Sequence, residues 1–393
     1  MTPLCPANVR SNVAQLCLLI LGAVLMLYTG PAVALKTTVE TEAGPINVET
    51  VAEGLKHPWG MAFLPDGRML VTERVGTLRI VNPEGSVSQP LSGVPEVAAR
   101  GQGGLLDVAL DPEFFSNKLI YLSYAEPGDG GAGTAVARGR LAGETLEDLK
   151  VIFQQTPKVK GSGHFGSRLT FAPDGTLFVT LGDRRKLDLV QDLSSHVGKI
   201  VRINPDGSVP QDNPFIGQKD AQPEIWSLGH RNVQSASIDP RTGKLWTLEF
   251  GPRGGDELNQ PVPGENYGWP LVNWGSEYGG ENIPDPPTRP ELADAVRHWT
   301  PVISPSGATF YTAEPVPGWT SEAIPAWTGD LLIGGLSSQG IVRLRLKGEE
   351  VTDEEQISLG ARIRNVVQGP DGAVYVLTDE SNGKILRLTA QSQ

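Results

Sequence analysis

Short runs of alternating hydrophobic and polar residues, separated by tight turns, make up most of the chain. One unit recurs: an apolar strand, a turn of the Pro-Asp-Gly type, and a second strand rich in β-branched and aromatic residues. Runs of this length and composition, bounded by Gly, Pro and Asp, are typical of β-strands. No long stretch shows the period of an amphipathic helix. The pattern therefore predicts an all-β protein.

The strand-turn-strand unit occurs six times, and its clearest copy reads LTFAPDGTLFVT over residues 169–180. A third strand often follows, as in GTLRIV from Gly76 and GKILRL from Gly383. The six units start near residues 59, 104, 168, 235, 307 and 365. Repeats of this length suit the four-stranded blades of a β-propeller with inserted loops. A β-sandwich is the alternative, but it does not account for a sixfold recurrence.

The segment INVETVAEGL, which ends at Leu55, precedes the first unit, and the chain ends just after a third strand. We expect this N-terminal segment to form the outer strand of the last blade, because that pairing closes the ring and removes an open sheet edge. The sequence thus predicts a six-bladed propeller domain over residues 47–393. The polar residues 35–46 are expected to form a linker.

Residues 1–34 have the features of a secretory signal peptide. Arg10 supplies positive charge, residues 13–28 are mostly apolar, and residues 32–34 read Ala-Val-Ala, a small-x-small cleavage pattern. An uncleaved membrane anchor is the alternative, but the apolar run is shorter than the roughly 20 residues that span a bilayer. Both cysteines of the chain lie in this segment. The mature protein is therefore expected to be periplasmic or secreted, without a membrane span, a disulfide or a thiolate metal site.

The formal net charge of −12 argues against nucleic acid as a partner, because nucleic-acid binding needs a basic surface. Polar side chains nevertheless recur in the loops that lead into the first strand of each blade. In a propeller these loops open on one face, together with the loops that leave the second strands, so their side chains should converge on a ligand site. The residues of interest in the entering loops are Gln102, His164, Arg231, Asn232, Arg362 and Arg364.

Two features of these loops point to chemistry. His164 lies between glycines just ahead of a strand, whereas His230 lies in a comparable loop and is expected to pack. Arg362 and Arg364 alternate at a strand entrance, so both side chains should point the same way. Like charges facing one channel imply an anionic ligand or acidic partners there. A structural histidine and solvated surface arginines remain the simpler alternatives.

The segment GPRGGDE, residues 251–257, is a candidate loop for a hard cation, because Ca²⁺ binds carbonyl and carboxylate oxygens. The EF-hand pattern is absent, and Glu257 could equally be a surface carboxylate. Motifs of nucleotide-binding proteins, zinc proteases and serine hydrolases are absent as well.

The sequence at these positions resembles that of the soluble quinoprotein sugar dehydrogenases, and most nearly the periplasmic aldose sugar dehydrogenases that use pyrroloquinoline quinone (PQQ). The resemblance covers nearly the whole mature chain and implies a six-bladed propeller, in agreement with the repeat count. The motifs that carry it are RGQGGLLDVALDP from Arg100, GHFGSRLTFAPDG from Gly163, GHRNVQS from Gly229, EFGPRGGDELN from Glu249, ENYGWP from Glu265 and RIRNVVQGPDG from Arg362.

The resemblance also implies roles for matched residues. His164 would be the general base, assisted by Arg231. The residues that would contact the cofactor are Gln102, Arg231, Asn232, Tyr278, Arg362 and Arg364, the last two meeting the quinone carboxylates. The carbonyls of Gly251 and Pro252 would hold the Ca²⁺ that the quinone also ligates. Glu257 and Tyr267 resemble a second, structural calcium site.

The reaction implied is the oxidation of an aldose at C1 to a lactone, with hydride transfer to the quinone and a histidine base. The glucose-specific relatives place a lysine against the cofactor in the segment that matches residues 336–339, which read LSSQ here. The absence of that lysine favours the aldose-type branch. The preferred sugar, the electron acceptor and the choice between monomer and dimer stay open. A calcium-dependent lactonase and a non-catalytic secreted propeller that binds glycans or proteins are the alternative functions.

Overall fold

The computed structural model of the chain describes residues 36–276, 278–279 and 286–391. The chain divides into two compact units, residues 1–34 and 35–393, and the expected signal peptide lies outside the described residues. In the part of the chain that is described, no helix combines the length and the hydrophobicity needed to cross a lipid bilayer. The helices are α1 (Phe114–Asn117), α2 (Leu187–Val190) and a 3₁₀ turn (Pro325–Trp327).

All other regular structure in the described residues is β. The strands, in chain order, are β1 (Lys36–Val39), β2 (Ile46–Leu55), β3 (Pro58–Phe63), β4 (Met69–Glu73), β5 (Thr77–Val81), β6 (Leu105–Leu110), β7 (Leu119–Gly128), β8 (Gly131–Ala142), β9 (Thr145–Gln154), β10 (Leu169–Phe171), β11 (Leu177–Thr180), β12 (Lys199–Ile203), β13 (Ile225–Leu228), β14 (Val233–Ile238), β15 (Leu245–Glu249), β16 (Asp256–Asn259), β17 (Arg297–Trp299), β18 (Pro305–Phe310), β19 (Leu331–Gly335), β20 (Gly340–Lys347), β21 (Glu350–Ser358), β22 (Ile363–Gln368), β23 (Val374–Thr378) and β24 (Gly383–Ala390).

These strands form six antiparallel sheets, which confirms the predicted six-bladed β-propeller. Blade 1 contains β3–β5, blade 2 β6–β9, blade 3 β10–β13, blade 4 β14–β17, blade 5 β18–β21, and blade 6 β22–β24 with β2 and β1. The first strands of the blades contact one another in order, from β3 through β6, β10, β14 and β18 to β22. Strand β22 in turn contacts β3, so the ring is closed.

The N-terminal strand closes the ring as predicted, because β2 pairs along β24 from Ile46 opposite Ala390 to Leu55 opposite Gly383. The expected linker, however, is wrong over residues 36–39. These residues, Lys-Thr-Thr-Val, form β1, which pairs antiparallel with β2. Their β-branched side chains favour extended backbone, and the turn at Thr41–Gly44 returns the chain onto β2. Blade 6 therefore has five strands and blade 1 has three, while the other four have the predicted four.

The hydrophobic core lies in layers between neighbouring blades. One layer combines Tyr121 and Val136 of blade 2 with Val179 and Val201 of blade 3. Because both faces of an inner strand are covered, strands such as β11 and β23 are buried at every position and read as continuous apolar runs. The rigid ring of sheets leaves the loops at either end free to carry function.

Irregular pairing occurs where the first two strands of a blade reach the mouth formed by the entering and leaving loops. The register shifts around Gln234 in blade 4 and around Arg364 in blade 6. A bulge adds a residue to one strand and re-aims its side chain. These two residues meet in the centre of the ring, where Arg364 Nη1 donates to Gln234 Oε1 at 2.7 Å.

Candidate active site

The structure pairs His164 with a carboxylate across the hairpin of blade 3. His164 precedes β10 and Asp183 follows β11, and both loops open at the mouth. Nδ1 of His164 lies 2.7 Å from Oδ1 of Asp183, and Trp269 Nε1 donates to the other carboxylate oxygen at 2.9 Å. Nε2 of His164 has no hydrogen-bond partner among the described residues. A carboxylate on Nδ1 fixes the tautomer in which Nε2 is free to accept a proton.

The electrostatic environment keeps this pair in the form that a base requires. Burial lowers the pKa of His164, and the charges of Arg231 and Arg185 act in the same direction, although Asp183 opposes them. The imidazole is therefore neutral at neutral pH and able to take up a proton. Burial raises the pKa of Asp183, but the hydrogen bond and charge of His164 help to outweigh it, so the net pKa is lowered and the carboxylate stays ionised.

Neighbouring blades hold the His164 loop in an uncommon conformation. The backbone of His164 is left-handed, with φ of 55°, which costs a non-glycine residue about 1–3 kcal/mol. Gln102 of blade 2 accepts the N–H of His164 at 2.6 Å, and Asn232 of blade 4 accepts the N–H of Gly166 at 3.1 Å. Both amide residues, predicted to contact a cofactor, thus also position the candidate base.

Arg231 lies beside this pair and is almost fully buried. Its Nη1 donates to the carbonyls of Phe250 and Gly251 at 2.9 and 2.8 Å, and its Nη2 donates to the Tyr278 hydroxyl at 3.0 Å. The Asp183 N–H donates to the carbonyl of Arg231 at 2.7 Å, which links Arg231 to the His164–Asp183 pair. Sequence reasoning placed Arg231, Gly251 and Tyr278 in one site, and the structure brings them together.

Arg362 and Arg364 share one carboxylate. Nη2 of Arg364 lies 2.7 Å and Nη2 of Arg362 lies 3.4 Å from Oδ2 of Asp379. Their environments differ, because the side chain of Arg364 is 6% exposed and that of Arg362 is 48% exposed. The bulge at Arg364 breaks the simple alternation from which equal orientation was predicted. The sequence left two explanations for the paired arginines, an anionic ligand or acidic partners. Asp379 is such an acidic partner.

One carboxylate does not balance the positive charge at this mouth. Burial raises the pKa of Asp379, but Arg364, with help from Arg74 and Arg362, outweighs it and lowers the pKa to about 2. Burial lowers the pKa of Arg364 to about 10 against the pull of Asp379, so the guanidinium remains charged. Three arginines around one ionised carboxylate leave surplus positive charge, which an anion would neutralise.

The predicted metal residues surround a small cavity in blade 4. Glu249 ends β15 and lies directly opposite Glu257 of β16. A cavity of about 10 Å³ is lined by both carboxylate residues and by Gly251 and Tyr267, enough for one water molecule or ion. Burial and the neighbouring Glu249 raise the pKa of Glu257 to about 8. Like charges directly opposite in a sheet are destabilising, so this pair favours a shared proton or a bound cation.

Not every predicted metal residue faces this cavity with its side chain. The Tyr267 hydroxyl donates to the Gln260 carbonyl at 2.6 Å and accepts from the Val262 N–H at 3.1 Å. Tyr267 could therefore offer a cation its backbone carbonyl, as Gly251 could. Pro252 adjoins Gly251 but does not line the cavity itself.

Sequence reasoning missed several partners of the site. Asp183, Glu249 and Asp379 were not assigned roles, and Trp269 lies in the long insertion between β16 and β17. Asp183 and Asp379 both follow a second strand, so the mouth-loop argument already contained a signal for them. Glu249 and Trp269 lie in two of the motifs that carry the family resemblance, but their contacts could not be predicted because these depend on strand register and on the path of an irregular loop.

Comparison with known proteins shows the family to which the chain belongs and supports its fold. A family model described as Glucose / Sorbosone dehydrogenase matches residues 55–387. The aldose sugar dehydrogenase YliI of Escherichia coli is 42% identical over 372 residues, covering 92% of this chain and 98% of that protein. The crystal structure of the soluble aldose sugar dehydrogenase from Escherichia coli in the apo-form has a TM-score of 0.83 at 43% identity, covering 88% of this chain and 100% of that one.

A more distant solved structure carries a ligand. The PQQ-bound form of aldose sugar dehydrogenase from Streptomyces coelicolor has a TM-score of 0.70 at 29% identity and covers 90% of this chain and 99% of that one. The family model extends over nearly the whole propeller and includes the loops of the mouth. The chain belongs to the glucose/sorbosone dehydrogenase family.

Proposed function

We propose that the mature protein is a periplasmic or secreted dehydrogenase that oxidises aldose sugars at C1 to lactones with PQQ and Ca²⁺. The observation that carries the proposal is the His164–Asp183 pair, whose free Nε2 lies at a mouth with surplus positive charge. Membership of the glucose/sorbosone dehydrogenase family and the likeness to a PQQ-bound relative support it.

The residues at the mouth fit an anionic quinone. Buried polar atoms without a hydrogen-bond partner among the described residues include Nε of Arg231, Nδ2 of Asn232 and Nε of Arg364. Unsatisfied buried donors are costly and call for a partner such as a ligand oxygen. Arg362 and Arg364 would hold carboxylates of PQQ, while Arg231, Asn232, Gln102 and Tyr278 would contact its remaining polar atoms. When bound, PQQ supplies the hydride acceptor that protein side chains lack.

Another residue supplies the positive charge of the lysine that the glucose-specific relatives have and this chain lacks. Nη1 of Arg362 donates to the carbonyl of Leu336 at 3.2 Å, so a guanidinium lies against the segment 336–339. Arg362 is half-exposed on the mouth side and keeps donors available. The segment therefore retains a positive charge despite its neutral sequence.

His164 performs the central proton transfer. Its Nε2 accepts the proton of the anomeric hydroxyl while hydride leaves C1, so that the sugar loses two electrons and one carbon–hydrogen bond and becomes a lactone. Asp183 stabilises the imidazolium that forms, and Trp269 holds Asp183 in place. The guanidinium of Arg231 stabilises negative charge that develops on oxygen beside it.

Calcium fits two positions around residues 251–257. The carbonyls of Gly251 and Pro252 would hold a first ion near Arg231, since a carbonyl oxygen that accepts one hydrogen bond keeps a second lone pair. Glu257, with Glu249 opposite and the Tyr267 carbonyl, would hold a second ion in the cavity between them. The oxygen-only donor set is the one that Ca²⁺ prefers.

Reconstitution tests the proposal. Purified mature protein, loaded with PQQ and Ca²⁺, should reduce an artificial dye when aldoses are added, and omission of the quinone should abolish the reaction. Dye reduction that is the same with and without PQQ would contradict the proposal. Quinone-independent hydrolysis of a lactone in the same preparation would support the lactonase alternative instead.

A further inference from the structure

A second cavity lies beside the His164 loop of the candidate active site. Its volume is about 500 Å³, and Gln102 and Gly163 form the wall nearest to His164. The lining carries no acidic side chain but has four cationic residues, which are Lys160, Arg184, Arg185 and Lys186. In a chain with a net charge of −12, such a concentration of positive charge is a local feature that composition does not explain.

Counterions for these four cations are missing from the part of the chain that the structure describes. None of them forms a salt bridge with a described residue, and the neighbouring Asp183 is already bonded to His164 and Trp269. Arg184 is 1% exposed, its guanidinium stacks 3.5 Å from the centre of the Phe165 ring, and its Nε has no partner among the described residues. Backbone carbonyls hold the guanidinium in place, because its Nη1 donates to Gly163 and its Nη2 donates to Gly161 and Ala132. No acidic side chain among the described residues neutralises its charge, so an anion beside it would be stabilised.

The backbone is strained where it presents these side chains. Arg184 and Arg185 are both left-handed, with φ of 49° and 56°, a conformation that is uncommon for side chains of this size. It sends Arg184 inward to the carbonyl of Gly161, at 2.9 Å. It places Arg185 against the His164 loop, where its Nε would lie 3.4 Å from a Cβ on Gly163. Strain of this kind persists where the surrounding structure enforces it, and it clusters at functional sites.

We infer that this cavity, which we name the anion pocket (Lys160, Arg184, Arg185 and Lys186), binds an anionic substituent of the sugar whose C1 lies at His164. The inference rests on the proposed function and extends it, because it defines the substrate class as aldoses with a carboxylate or a phosphate group. Guanidinium and ammonium donors suit both anions. The pocket lies beside the proposed site of oxidation, because Gln102, which lines the pocket, accepts the N–H of His164 at 2.6 Å.

Binding to the protein without PQQ tests the anion pocket independently of catalysis. Calorimetric titrations of the mature protein with glucuronate, glucose 6-phosphate and glucose should show both acidic sugars binding at least about tenfold more tightly at low salt, with the advantage shrinking as NaCl is added. The first two sugars distinguish a carboxylate from a phosphate preference. Equal affinities for all three sugars, or an advantage that does not respond to salt, would overturn the inference.

Variants in which glutamine replaces a cationic residue test whether the anion pocket causes the preference for acidic sugars. Lys160→Gln with Lys186→Gln should remove most of the preference for acidic sugars, and Arg185→Gln should act in the same direction. The matched control is Lys219→Gln, because Lys219 is 92% exposed and lies after the third strand of blade 3, at the opposite end of the propeller. Loss of the preference in the control, or its persistence in the double variant, would count against the pocket.

Kinetics with the loaded enzyme separate this inference from the proposed function. With a cationic dye as electron acceptor, so that acceptor charge cannot mimic the effect, kcat/KM should favour acidic sugars over glucose in the wild type. Oxidation of acidic and neutral sugars with equal kcat/KM would overturn the pocket and leave the proposed function standing. Selective binding of acidic sugars without oxidation of any aldose would support the pocket and contradict the proposed function.

Discussion

His164 and His230 lie in equivalent loops but differ in how many of their ring nitrogens form hydrogen bonds with described residues. His230 is fully buried, with Nε2 bonded to Ser227 and Nδ1 to Glu249, each at 2.9 Å. His164 bonds Asp183 through Nδ1 alone among the described residues. His230 therefore packs, as predicted, and stabilises blade 4, whereas His164 retains a nitrogen for chemistry.

His164→Ala should lower turnover by roughly 10²–10⁴-fold, the usual contribution of a positioned base. Melting temperature and quinone occupancy should stay near wild type, because the imidazole makes one side-chain hydrogen bond. Single-turnover reduction of the bound quinone on the same preparation measures the effect. His230→Ala is the control, with the opposite pattern of lower stability. A folded, quinone-loaded His164→Ala enzyme with near wild-type reduction would refute the assignment.

Asp183→Asn should lower turnover by on the order of 10²-fold, because the imidazolium formed in the reaction loses its carboxylate partner. Asp183 raises the pKa of His164, so its removal lowers that pKa further. The acidic limb of the kcat/KM profile, which reports protonation of the base, should consequently move to lower pH. An unchanged acidic limb would show that Asp183 does not act on the base.

Arg362→Ala should weaken quinone binding by about 1.5–3 kcal/mol, the contribution of one hydrogen bond to a charged group. Its half-exposed side chain suggests no large loss of stability. Arg364→Ala should weaken binding too and also lower the melting temperature, since it removes the buried partner of Asp379. Quinone titration measures the loss of affinity in both variants, and thermal unfolding measures the loss of stability. The exposed Arg345→Ala is the control. Wild-type quinone affinity in both would refute the assignment.

At the level of elements, β2 joins the two ends of the chain in blade 6. Ile46 and Val48 are buried in the layer shared with blade 5, and β2 pairs along most of β24. Such a strand replaces a covalent closure of the ring, because without it the last blade would present an open edge. Strand β1 adds little to this, since Lys36, Thr37 and Thr38 are exposed.

Ile46→Ala should therefore destabilise the whole propeller, by about 2–5 kcal/mol for a buried aliphatic side chain cut to alanine. Thr37→Ala, on the exposed strand β1, is the matched control and should change stability by less than about 0.5 kcal/mol. Denaturant unfolding followed by tryptophan fluorescence measures both. If both substitutions lowered the free energy of unfolding equally, the pairing of β2 would not stabilise the closed ring.

At the level of the whole molecule, the sequence predicted the ring well because the strand-turn-strand repeat reports the blades directly. It also predicted that the loops carrying His164 and Arg231 open at one mouth, and the structure links the two through Asp183. It could not show the bulges at Gln234 and Arg364, since one added residue leaves no signature in the pattern. It could not reveal Glu249 opposite Glu257 either, because that contact follows from strand register.

The opposed carboxylates of Glu249 and Glu257 should make stability depend on calcium and pH together. The pKa of Glu257 is raised to about 8 in the folded protein, above the value of about 4.3 in an unfolded chain. Between these values the folded state holds a proton that the unfolded state has lost. Without metal, the free energy of unfolding should therefore fall as pH rises from about 4.3 to about 8.

Ca²⁺ at the proposed site would bind the ionised carboxylates, so it should stabilise the protein most at the upper end of this range and flatten the pH dependence. Melting temperatures with EDTA and with Ca²⁺, measured across the range, give the comparison. Glu257→Gln should flatten the metal-free profile and reduce the calcium effect to that of the Gly251–Pro252 site. Asp188→Asn, an exposed carboxylate in α2, is the control. If calcium stabilised the Glu257→Gln variant as much as the wild type at every pH, the ion would have to bind elsewhere, and the cavity between the two strands would hold a shared proton instead.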